Sequence, residues 1–165
     1  MSSLTIELKK TKDGRPSLAC VRADGTRTWA RVHPFFPTHD LTHCAVESVL
    51  GFDEAFFGLI AAGWEIDQFT LPGATRAMPP QAMCTENIVG QLELGVAIDA
   101  AEMNAALSAS TQAQGGVPCA AISDEQLVAI RALRSALVDR WFELPEGETL
   151  SVPFPAALPR GSRAL

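Results

Sequence analysis

Apolar and polar residues alternate along Leu4-Thr5-Ile6-Glu7-Leu8, and again through Ser17-Leu18-Ala19-Cys20-Val21 and Thr26-Arg27-Thr28-Trp29-Ala30-Arg31-Val32. A period of two belongs to strands with one covered face. Between these runs stand Asp13-Gly14 and Asp24-Gly25. Asp-Gly between alternating runs is a strong hairpin signal, because glycine supplies the left-handed backbone that a tight turn needs. Residues 3–32 therefore predict a three-stranded antiparallel meander.

The period then changes to that of helices. Thr38 is the expected cap of a first helix that ends at Gly51, with Pro37 holding the approach extended and Asp40 in the first turn suiting the helix dipole. Asp53 is expected to cap a second, Glu54 to Ala62, closed by Gly63. A loop through Pro72-Gly73 leads to Pro80, the first position of a third helix from Gln81 to Ile98 that carries Glu86, Val89, Leu92 and Val96. Asp99-Ala-Ala-Glu102 resembles a capping box and starts a short helix ending near Ala109. Ser108 to Pro118 reads as a mobile loop. Ser123-Asp-Glu-Gln126 opens the longest helix, to Leu144, with Leu127, Ile130, Leu133, Leu137 and Trp141 on one face. Thr149 to Val152 reads as a return strand at the sheet edge.

The expected fold class is α+β, an N-terminal three-stranded antiparallel meander packed against a bundle of about five helices. One globular domain spans 1–158, with the meander at 3–32, the helical part at 38–144 and the return strand within 148–153. Residues 159–165 form a frayed tail. At 165 residues, 47% hydrophobic and 19% charged, the chain can build a proper core. A net charge of −6 with scattered basic residues argues against nucleic acid or an anionic membrane as partner. Arg131, Arg134 and Arg140 read as a solvated helix face. The amino terminus lacks the apolar core of a signal peptide and no run of 18 apolar residues occurs, so a soluble, cytoplasmic chain is expected. The four cysteines, Cys20, Cys44, Cys84 and Cys119, form no Cys-x-x-Cys pair; in the cytoplasm disulfides are not expected.

Candidate chemistry concentrates in one place. All three histidines (His33, His39, His43) lie within eleven residues of one another, and His39 and His43 are four apart on the first helix. At about 100° per residue, taking His39 as zero, His43 lies near 40°, Glu47 near 80° and Asp40 near 100°. Leu41, Ala45 and Val49 fall opposite, but Val46 and Leu50 flank the histidines. The helix is apolar nearly all round and so is expected to be buried. Buried imidazoles and carboxylates are costly unless paired or bound to a cation. His-Asp-x-x-His is half of a zincin-like arrangement, with Asp40 where the zincin motif has its general-base glutamate. Aspartate is shorter by about 1.5 Å, one bond, which favours a ligand or ligand-orienting role for Asp40 over that of base.

The stretch resembles the zinc motif of the ubiquinone-biosynthesis accessory proteins, in which His-Asp-x-x-His is followed about a dozen residues later by Glu. His39, Asp40 and His43 match it, and Glu54 stands one residue early for the acid. The resemblance implies zinc. Phe36-Pro-x-His39-Asp-Leu-x-His43 is also similar to a stretch in small uncharacterised bacterial proteins.

From the residues alone the third ligand stays open among Glu47, Glu54, Glu65, Glu86 and His33, with Glu47 and Glu86 preferred. Glu47 has the right face, although His39 to Glu47 spans about 12 Å along the axis. The expected function is a metal-binding protein, with zinc or another divalent transition metal on His39, His43, Glu47 or Glu86. If it is an enzyme, it is a metal-dependent hydrolase or lyase of an unidentified small substrate, with Asp40 or Glu47 moving the proton. The alternative is a non-enzymatic binding or scaffold domain, its polar stripe a hydrogen-bond network and its apolar surface serving a homodimer. Cys44 beside His43 makes no dyad, because adjacent helical residues point about 100° apart. Ser48 lacks elbow glycines. Phe35, Phe36, Phe56, Phe57 and Trp64, with no interleaved basic residues, read as core.

Overall fold

Both Asp-Gly turns form where the alternation places them, with Gly14 at φ 76° and Gly25 at φ 85°. Asp24 Oδ1 accepts a hydrogen bond from the Thr26 amide (2.9 Å) and Asp13 Oδ1 one from that of Arg15 (3.0 Å). The computed structural model describes residues 3–95 and 98–158; Val96 and the tail 159–165 lie outside the described residues. The meander consists of β1 (Leu4–Lys9), β2 (Ser17–Arg22) and β3 (Arg27–Arg31). The return strand β4 (Thr149–Phe154) pairs antiparallel with β1, Leu4 opposite Phe154, so the sheet has four strands in the order β3-β2-β1-β4. Leu150, Val152 and Phe154 are buried beside Leu4, Ile6 and Leu8, which gives β4 its anchor.

Five α-helices longer than one turn cover the sheet and one another: α1 (Phe36–Leu50), α2 (Phe56–Ala61), α4 (Pro80–Glu93), α5 (Ala100–Gln114) and α6 (Asp124–Glu143). A 3₁₀ helix (Ile66–Thr70) and the one-turn α3 (Ala74–Ala77) fill what reads in the sequence as loop. Residues of α1, α2 and α6 pack on the inner sheet face through Leu41, Phe57, Ile60, Leu133 and Leu137. A second core joins Val46 of α1 and Ile130 of α6 to Ile88 of α4 and Met103 of α5. Lying between these cores, α1 buries Asp40 to Glu47 without a break.

Several boundaries depart from expectation. α1 begins at Phe36, with Pro37 inside its first turn, so Thr38 is not the cap; its hydroxyl donates to the Phe35 carbonyl (3.1 Å). No acidic residue lies in the first turn, so Asp40 does not serve the dipole there. α4 stops at Glu93, and Gly95 turns left-handed at φ 69°. α5 runs through the expected loop to Gln114, because Met103, Leu107 and Thr111 continue one buried stripe at four-residue spacing. Thr111 satisfies its hydroxyl on the Leu107 carbonyl (2.8 Å), and Gly115 ends the helix at φ 67°. The capping boxes at Asp99 and Ser123 form as read.

Of the three arginines of α6, Arg140 is exposed as expected, but Arg131 and Arg134 are partly buried, and all three are tied to neighbouring elements. Arg134 Nε donates to Thr42 Oγ1 of α1 (2.9 Å), Arg140 to the Ser151 carbonyl of β4 (3.1 Å), and Arg131 to the Ile98 carbonyl. Phe35 and Phe36 are exposed rather than core, whereas Phe57 is fully buried. Cys84 and Cys119 form a disulfide with Cα atoms 5.7 Å apart, contrary to the expectation of free thiols. That spacing is ordinary for a bridge, and a sequence separation of 35 hides the proximity from the sequence. Cys20 and Cys44 remain free and buried. No helix among the described residues is long and apolar enough to cross a membrane.

Candidate metal centre

α1 brings the two histidines together as their spacing requires: the ring centroids of His39 and His43 are 4.8 Å apart. Phe36 stands edge-on to His39, and Phe56 of α2 lies against His43. α4 crosses beside them and supplies Glu86, whose Oε1 lies 3.2 Å from His43 Nε2. Ligand atoms of His39, His43 and Glu86 all lie within 4.8 Å of one another, a cluster that can hold a metal ion. Nothing within one element could have paired Glu86 with the histidines.

Behind each histidine stands a carboxylate on the other ring nitrogen. Glu93 Oε1 lies 2.9 Å from His39 Nδ1, which leaves His39 Nε2 for a ligand. Glu93 is absent from the sequence-derived candidates, yet its signal was present: it follows Glu86 by seven residues, two turns of the same helix face. Glu47 Oε1 stands 3.5 Å from His43 Nδ1, an ionic contact too poorly placed to count as a hydrogen bond, and Nδ1 is left without a partner.

Glu47 has another occupation. Its carboxylate, 1% exposed, accepts the amides of Phe57 (3.0 Å) and Gly58 (3.1 Å). These are N–H groups of the first turn of α2, so Glu47 caps that helix from eleven residues upstream, and Asp53 does not. The amides of Asp53 and Glu54 go instead to Gln81 Oε1, at 3.1 and 2.9 Å. At the far end of α2, Arg22 donates to the carbonyls of Ile60 (2.7 Å) and Trp64 (2.6 Å). A six-residue helix is thus clamped by a distant carboxylate and a distant guanidinium. Gly58 is required at this junction, because a Cβ there would overlap the Asp53 backbone.

The other candidate ligands lie elsewhere. Glu54 is exposed, Glu65 pairs with Arg22 (3.1 Å), and His33 stacks on Phe35. Glu47 faces α2 and stands outside the cluster.

The centre opens on a cavity of about 540 Å³ between the sheet, α1, α2 and the 3₁₀ helix. Buried Leu18, Asp40 and His43 form its floor, and exposed Arg31, His33 and Thr70 its rim. Asp40 is 5% exposed, and its Oδ2 has no hydrogen-bond partner among the described residues. Burial pushes the Asp40 carboxyl up to about 7, with His43 opposing and Glu86 and Glu93 adding to the rise. For His43, burial by itself disfavours the imidazolium, but Glu47 and Glu86 outweigh it and raise the ring to about 10. Glu86, its side chain half exposed, is pushed up by partial burial and pulled down by His43 and His39 together, so its carboxyl sits below the ordinary range. Two imidazoles and a carboxylate are donors that a borderline divalent cation prefers; Asp40 lines the same cavity outside that cluster. No protein-family model, no curated protein and no solved structure matches this chain.

Proposed function

We propose that this chain is a small metalloprotein that holds a divalent transition metal, zinc by donor type, on His39, His43 and Glu86, and that it acts as a hydrolase or lyase on a small molecule entering the 540 Å³ cavity. One observation carries the reading: ligand atoms of two histidines on α1 and a carboxylate on α4 converge within 4.8 Å of one another on the wall of a cavity. Three protein ligands with an open side toward a cavity suit a catalytic rather than a structural centre. When bound, the metal supplies Lewis-acid polarisation of a substrate oxygen. Glu93 holds the His39 tautomer, Glu47 braces His43 from the capped end of α2, and Asp40 is placed to accept a proton inside the cavity.

The observation that favours a metal-free network is His43 itself, held between Glu47 and Glu86 as a charged ring would be. Elemental analysis of untagged protein decides between the two. The metalloprotein reading expects about one equivalent of metal in the wild type and none in His39→Ala/His43→Ala. Equal trace metal in both leaves the scaffold reading, with the stripe as an internal network.

A further inference from the structure

The cavity is chemically divided. His39, Asp40, His43 and Glu86 line it where α1 faces α4, whereas Phe56, Ile66 and Phe69 line its inner wall from α2 and the 3₁₀ helix, with exposed Arg31, His33, Asp67 and Thr70 around the rim. Leu18, Ala30 and Val32 close it from the sheet side. A cavity of about 540 Å³ lies within the range of small-molecule sites, and it exceeds what a bare metal centre needs. Phe56 is itself fixed, packed on Phe57 and Phe69 with ring centroids 4.9 and 4.6 Å away, so the apolar wall is preformed. A fully polar substrate would leave that wall wet, and a plain hydrocarbon would leave Asp40 Oδ2 unpartnered.

We propose that the cavity takes a molecule with an apolar, ring-sized body and an oxygen-donor head group that also offers a hydrogen bond, the head group at His39, His43 and Glu86 beside Asp40 and the body against Phe56, Ile66 and Phe69. The inference rests on the metal reading above and adds the substrate class. Head and body are recognised by different walls, so the two contributions separate in binding.

Calorimetric titration of zinc into the untagged full chain reports the metal alone. Benzohydroxamate and acetohydroxamate are then titrated into the zinc-loaded protein; they share a chelating, hydrogen-bond-donating head and differ in the ring. Benzohydroxamate is expected to bind at least about tenfold more tightly, from burial of the ring. The preference is expected to disappear in Ala30→Phe, which fills the cavity from the sheet side and has zinc uptake as its check on folding. Phe36→Ala, at a residue 47% exposed, provides a second variant, in which the preference narrows. Equal affinity for the two hydroxamates overturns the inference while zinc uptake stands. Equal benzohydroxamate binding with and without zinc also overturns it. Absence of zinc uptake removes the metal reading, and this inference with it.

Discussion

Protons and a cation compete for the same nitrogen at His43. In the metal-free fold the ring is raised to about 10, so its contribution to stability is complete below the ordinary histidine value and is lost as pH climbs toward 10. Asp40 acts in the same direction, because a carboxyl raised from 3.8 to about 7 favours folding when protonated and is lost as pH rises through 7. Melting temperature in chelator is therefore expected to fall between about pH 6.5 and 9. Metal binding has the opposite dependence, since a ligating imidazole must give up its proton. The rise in melting temperature on adding zinc should grow from pH 6 to 8, as followed by thermal scans with zinc and with chelator. A metal-free melting temperature that does not fall between about pH 7 and 9 would show His43 neutral in the fold.

Among the elements, α2 has the least material of its own and the most outside help. Six residues cannot sustain a helix in water, so Glu47, Arg22 and the buried ring of Phe57 hold it in place. Gly58 and Gly90 are both helical and test this difference. Gly58→Ala drives a methyl group into the Asp53 backbone and is expected to destabilise by about 2–4 kcal/mol in urea unfolding. Gly90→Ala, on exposed α4 surface with nothing within 4 Å of the new Cβ, should stabilise by about 0.5–1 kcal/mol. A neutral Gly58→Ala would mean that the α1–α2 junction yields, and with it the brace on His43.

At the scale of the molecule, α1 and α6 both send residues into the two cores, and the candidate centre sits on α1. The second core is secured by Cys84–Cys119, which ties α4 to the segment before α6 across 35 residues of chain. Loop-closure entropy for that span is worth about 3–4 kcal/mol. Cys84→Ser/Cys119→Ser should lower the urea midpoint accordingly, and a reductant should do the same to the wild type but not to the variant. A wild type indifferent to reductant would mean that the two sulfurs are not joined in the protein as isolated. Cys84 also lies two residues before Glu86, so the bridge fixes the part of α4 that supplies the third ligand.

Local periodicity by itself determined the strands, the Asp-Gly turns, the stripe of α6 and the facing of His39 and His43, because each depends on neighbours within a few residues. It also indicated that α1 is buried, since apolar residues surround its polar stripe. Ser and Gln composition makes the end of α5 read as loop, whereas a buried stripe ending in Thr111 carries the helix to Gln114. Glu86 was legible as one of two preferred acids, and Glu93 only through its seven-residue spacing from Glu86. Tertiary structure alone decided that Glu47 caps α2, that α4 brings both its acids to the histidines, that Cys84 meets Cys119, and that aromatic residues of α2 and the 3₁₀ helix enclose a cavity. Those pairings join residues tens of positions apart; packing of whole helices sets their distances, and no spacing along one element encodes them.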